Sequence, residues 1–181
     1  MYAVRKRLML AATLMAMAGL PQAPGRAAAK DASEVQTIGW ATLLPEDERK
    51  NFNPNPPPPV HSYLGEGSLP ALQSGSYTPN PDLNDKTVKI PGFVVPLDTN
   101  KKGDLVDFLL VPYFGACFHV PPPPPNQIVY VKMKKAVPLS SMQDAQWVIG
   151  TLHASIKKSD LGAAAYELDG TTLQPYHYNV Q

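Results

Sequence analysis

The sequence predicts a mainly β protein: a small OB-like barrel of five to six strands, preceded by an N-terminal wrap that is extended or briefly helical. Three observations carry this reading. From Lys86 to Val180, short apolar runs with two-residue alternation are separated by turn residues, the signature of strands with one buried face. The first run, from Lys86 to Asp98, is long and is interrupted by Pro91-Gly92, as expected of a strand bent to serve both halves of a small barrel. Five or six strands close most economically on themselves. A β-sandwich of immunoglobulin type, which asks for about seven strands, is the runner-up.

The elements follow in chain order. Arg5, Lys6 and Arg7 precede an apolar run from Leu8 to Leu20, and Ala27-Ala28-Ala29 supplies small residues for cleavage. This is the layout of a secretory signal peptide over residues 1–29, removed after Ala29. The run is shorter than the roughly 20 residues of a spanning helix. The expected product is therefore periplasmic or otherwise exported, and it is not an integral membrane protein. Residues 30–85 form the arm and wrap. Trp40, Leu43 and Leu44 fall at helical spacing with Trp40 as a core anchor, and the segment Pro45 to Lys50 opens a short helix with acids in its first turn. The proline-rich run Pro56 to Pro59 suits polyproline II.

Residues 86–181 form the barrel domain. After the bent first strand and a turn at Thr99–Asp104, the second strand runs from Leu105 until Pro112 removes a ladder donor. The third is Gln127 to Met133, in which Lys132 and Lys134 alternate with Val131 and Met133 and mark a solvated face. The fourth begins at Gln146. The stretch Ser159 to Ala165 suits a short helix or turn. Asp169-Gly170 is expected to close a hairpin between the last two strands.

Charge excludes one function class. Of 16 basic and 15 acidic residues, four basic residues and no acid lie in the leader, which leaves the exported chain at about −3. No basic stripe remains to hold nucleic acid.

The chemistry concentrates in Phe114–Gln127, "FGACFHVPPPPPNQ". The single cysteine, Cys117, has no internal disulfide partner, and in an exported chain a lone thiol asks for an explanation. Cys117 and His119 point the same way if the segment is extended, and a thiolate with an imidazole suits zinc or copper. Zinc takes four ligands, or three and a water, and His61, His153 and His177 are the remaining histidines. Five prolines, Pro121 to Pro125, make a stiff rod without N–H donors. Asn126 and Gln127 close it. Metal ligation by Cys117 and His119, and binding through Pro121, Pro123, Asn126 and Gln127, form one reading. A buried thiol and a hydrogen-bonded histidine in a rigid connection, serving only a structural interaction module, form the other. A cysteine-dependent enzyme would use His119 as base, but the sequence shows no third member, and a redox pair lacks its second cysteine. An enzyme is thus the less favoured class.

The segments "IPGFVVPLD", "FLLVPYFGACFHVPPPPPNQIVYV" and "WVIGTL", with the upstream "GWATLLP", resemble an uncharacterised family of bacterial extracytoplasmic proteins, a domain of unknown function. The resemblance spans most of the exported chain. It implies an accessory role beside ABC transporter components or in envelope zinc handling. It also implies lipid anchoring in some members, for which this chain has no cysteine in its leader. No histidine-rich tract for metal buffering is present.

Overall fold

The computed structural model describes residues 34–53, 73–116, 122–139 and 141–177. The signal-peptide expectation and the Pro56–Pro59 run lie outside the described residues. Among the described residues there are eight strands: β1 (Gln36–Thr37), β2 (Lys86–Thr99), β3 (Leu105–Val111), β4 (Val129–Val137), β5 (Gln146–His153), β6 (Lys157–Ser159), β7 (Gly162–Ala164) and β8 (Tyr166–Pro175).

Five of them close into a barrel in the order β2-β3-β4-β8-β5, because β2 pairs with both β3 and β5. Residues 86–92 of β2 pair antiparallel with β5, and residues 93–99 pair with β3. The change of partner falls after Pro91-Gly92, where the sequence predicted the bend. Closure removes the barrel's sheet edges and excludes the sandwich. β4 and β8 run parallel, whereas the other barrel pairs are antiparallel. The short β1 adds a parallel edge strand to β2.

The interior holds Val88, Ile90, Phe108, Leu110, Val131, Val148, Leu152 and Leu168, all fully buried. Alternation carries them inward; in β4, Val131 and Met133 are buried while Lys132 and Lys134 are exposed, as expected. β3 departs from simple alternation. Leu109 and Val111 point outward yet are fully buried, in a second cluster with Val95, Ala116, Ile128 and Ala164. Both faces of β3 are covered over Phe108–Val111, which reads as a continuous apolar run.

Two local expectations are corrected, and a third is narrowed to its turn alternative. Asp169-Gly170 is not a hairpin turn: β8 runs through it, and Gly170 pairs with Gly150 beside a bulge at Ile149/Gly150. A Cβ on Gly170 would lie 2.4 Å from Met133 Sδ, so glycine serves close approach rather than a turn. The stretch from Ser159 holds the turn of a two-stranded hairpin, β6–β7. The third strand begins at Val129, since Pro125–Gln127 forms a 3-10 turn, and it extends to Val137. The wrap reaches inward: Ile38, Leu43 and Leu83 enter the main core, with Trp40 packed against it.

Trp40–Leu43 is a 3-10 turn, and α1 (Glu46–Arg49) follows with Glu46, Asp47 and Glu48 in its first turn. Trp40 is partly buried, and its indole N–H donates to the Pro91 carbonyl at 2.8 Å. Among the described residues no helix is long and apolar enough to cross a membrane.

Candidate functional site

The β3–β4 connection begins where Pro112 ends β3. Gly115 has φ +82°, a left-handed conformation that glycine adopts without strain, and Ala116 behind it is fully buried. Cys117, His119 and Pro121 lie outside the described residues, so the candidate metal ligands themselves are not placed. Asn126, Gln127 and Pro123 are placed, and all three are buried.

A proline rod offers only acceptors, and here the fold supplies their donors. The Pro123 carbonyl accepts from Gln73 Nε2 at 2.9 Å, and the Pro124 carbonyl accepts from Gln127 N at 2.8 Å. The Pro125 carbonyl accepts from Ala165 N at 2.8 Å and from Ile128 N at 3.2 Å. Gln73 also joins β7, donating to the Ala163 carbonyl at 2.8 Å and accepting from Ala163 N at 2.7 Å. Gly75, at φ +104°, lies so close to Pro124 that a Cβ would stand 2.7 Å from its ring. The rod is thus clamped between the wrap and the β7–β8 region.

Asn126 binds three residues of the wrap. Its Nδ2 donates to Glu48 Oε2 at 2.8 Å and to the Thr78 carbonyl at 3.2 Å, and its backbone N donates to the Ser76 carbonyl at 3.1 Å. Gln127 Nε2 donates to the Trp40 carbonyl at 3.1 Å and to the Asn126 carbonyl at 3.0 Å. Together these residues floor a cleft of about 270 Å³ whose walls include Leu44, Glu48, Phe52, Tyr113 and Pro123. A second, apolar hollow of about 340 Å³ opens between Phe93, Val95, Phe114 and Met142.

The other histidines take different positions. His153 Nδ1 lies 2.8 Å from Asp85 Oδ1, and its Nε2 lies 3.7 Å from Asp169 Oδ2. His177 is exposed beyond the end of β8, and His61 lies outside the described residues. Among the described residues no group of three or more His, Cys, Asp and Glu side chains is arranged to hold a metal ion. Sequence reasoning missed Glu48 and Gln73. Glu48 looked like one more solvated acid of the first helical turn, and Gln73 carried no signal, since its partners lie 50 and 90 residues away.

Two tyrosines are perturbed. Burial pushes Tyr166 up to about 12, against the opposing effect of the Asn80 backbone bond. Burial and its hydrogen bond to Asp107 push Tyr130 up to about 12 as well. Raised phenol values mean that the neutral forms belong to the fold. Their stabilisation is complete below the ordinary phenol pKa of about 10 and is lost as pH climbs toward about 12. Denaturant midpoints measured from pH 9 to 12 should therefore fall above pH 10, and less steeply in Tyr166→Phe. An equal slope in both proteins would refute the assignment to Tyr166.

Fold and site together define a closed five-stranded barrel of OB type whose N-terminal wrap clamps a proline-rich strand connection. Residues 40–175 match the family model described as protein of unknown function DUF3299, and the chain belongs to that family. A crystal structure of a DUF3299 family protein from Pseudomonas aeruginosa PAO1 matches with a TM-score of 0.68 at 36% identity, covering 81% of this chain and 99% of that one. No curated protein matches the chain.

Proposed function

We propose that this protein is an exported accessory protein of the bacterial envelope, working beside a transporter component in zinc handling, with Cys117 and His119 as its metal-binding residues. The observation that carries the reading is the clamp on the connection. Donors from Gln73, Gln127, Ile128 and Ala165 hold the carbonyls from Pro123 to Pro125, and Ala116 is packed beneath β3. A segment fixed at both flanks suits ligands whose mutual geometry is set by the chain rather than by the metal. Thiolate and imidazole match zinc, and two protein ligands leave about two of its four positions for solvent or for a donor from a partner. Such a site favours passing a metal on over storing it, in keeping with the absence of a histidine-rich tract.

The experiment is a zinc titration of the exported chain in competition with a chromogenic chelator. Binding of one zinc per chain is expected, weakened at least about tenfold in Cys117→Ser and in His119→Ala, since each removes one of the few protein ligands. Unchanged affinity in either variant, or no zinc binding at all, would overturn the proposal.

A further inference from the structure

The β2–β3 turn and the second half of β4 carry lysines that neither the core nor the candidate site employs. Leu105 of β3 pairs with Val137 of β4, and Asp107 pairs with Lys132. Val106 alone therefore stands against Met133 to Ala136, an enlarged bulge in β4. Met133 stays buried, while Lys134, Lys135 and Ala136 are exposed. β2 pairs with the same end of β3, Thr99 facing Leu105, and the intervening turn exposes Lys101 and Lys102. Strand register thus gathers two lysine pairs, distant in the chain, at one end of the barrel.

The turn is held from within. Asn100 Oδ1 accepts from Lys102 N at 2.8 Å and from Asp104 N at 3.0 Å, and Asn100 Nδ2 donates to Asp104 Oδ2 at 2.9 Å. Asp98 Oδ1 accepts from Thr99 N at 2.8 Å. The two nearby acids are thus engaged in shaping the hairpin. Among the described residues no carboxylate lies within ion-pair distance of Lys101, Lys102, Lys134 or Lys135. Lys132 differs, since it stands across from Asp107 on β3 and Asp169 on β8. Four unpaired ammonium groups therefore outnumber the acids at one end of a chain whose exported form carries about −3. A positive end against a negative remainder is oriented by any anionic surface it approaches.

We propose that this lysine end docks on an anionic lipid surface, with Lys101 and Lys102 from the turn and Lys134 and Lys135 from the bulge meeting phosphate headgroups. Neither hollow described above includes these residues, so recognition here is by charge on exposed side chains rather than by a shaped cleft. A headgroup layer asks for nothing more, and each lysine near it raises partitioning about fivefold. The envelope setting comes from the proposed function, but the docking itself needs neither zinc nor Cys117.

The test is co-sedimentation of the exported chain with vesicles of phosphatidylcholine alone, or of phosphatidylcholine mixed equally with phosphatidylglycerol. Binding is expected to the mixed vesicles only, and it should fall at least about tenfold as salt rises from about 20 to about 200 mM. Two double variants, Lys101→Gln with Lys102→Gln and Lys134→Gln with Lys135→Gln, should each lower partitioning at least about tenfold. Lys50→Gln with Lys86→Gln removes the same charge from exposed positions elsewhere and should lower it far less. Equal binding to both vesicle types, binding indifferent to salt, or lysine-end variants no weaker than the Lys50 and Lys86 control would each overturn the proposal. Binding to polyglutamate with none to the mixed vesicles would assign the lysines to an acidic protein partner and overturn it as well. Cys117→Ser should bind vesicles unchanged, so failure of the zinc reading and failure of this one are told apart.

Discussion

Gly150→Ala is expected to destabilise the barrel by more than about 3 kcal/mol, beyond the usual range for overpacking. A Cβ at this position would lie 2.3 Å from the Asp169 carbonyl oxygen, 2.5 Å from Leu168 Cδ2 and 2.9 Å from the Asp169 carbonyl carbon. Two of the three obstacles are backbone, so no rotamer change relieves them. The contact sits where Gly150 and Gly170 pair across the β5–β8 bulge, and Gly170 in turn is pressed by Met133 and Val131 of β4. Relief on one side therefore transmits strain to the next strand. Gly103→Ala is the control: it has open space around it but φ +84°, so only the conformational cost of about 1 kcal/mol applies. Urea denaturation of the two variants checks the pair. A Gly150→Ala protein no less stable than Gly103→Ala would refute the steric account.

Tyr166 is expected to give the second large effect, because it fastens the wrap to the barrel. It is among the largest fully buried side chains, and it extends the inward face of β8 into the main core. Its hydroxyl donates to the Leu43 carbonyl and accepts from Asn80 N at 2.6 Å, so one oxygen joins the Trp40–Leu43 turn, the Asn80 turn and β8. Tyr166→Ala should cost about 3–5 kcal/mol, as for other buried aromatic truncations. Tyr166→Phe keeps the ring and should cost about 1–3 kcal/mol for the lost hydrogen bonds. Hydrogen exchange supplies the local readout: the Asn80 amide should lose protection in Tyr166→Phe. Wild-type stability and an unaltered Asn80 amide in that variant would show that the hydroxyl fastens nothing.

The barrel was largely legible in the sequence because its determinants are local. Alternation set Val131 and Met133 inward and Lys132 and Lys134 outward, and the strand starting at Gln146 was found. Pro112 ended β3 where a strand loses its donor, and Pro91-Gly92 marked the change of partner in β2. The failures have a common cause. Asp169-Gly170 carries hairpin chemistry, yet tertiary packing used the glycine for close approach to Met133, a demand that local sequence does not encode. The β6–β7 strands are three residues each, too short for a two-residue period to register.

The candidate site was legible in part. Asn126 and Gln127 stood out because polar residues closing a five-proline run must find donors and acceptors somewhere, and both are buried. Their partners did not stand out: Glu48 meets Asn126 across 78 residues, and the Trp40 carbonyl meets Gln127 across 87.

By itself the sequence determined the first four barrel strands, the stiffness of the connection and the isolation of a single thiol, since each follows from neighbouring residues and backbone chemistry. Only the tertiary structure decided that Ile38 and Leu83 join the main core, that Gly150 and Gly170 meet, and that Glu48 and Gln127 line one cleft. Those are consequences of register and closure, which bring distant residues together through the barrel's geometry and leave no local pattern to read.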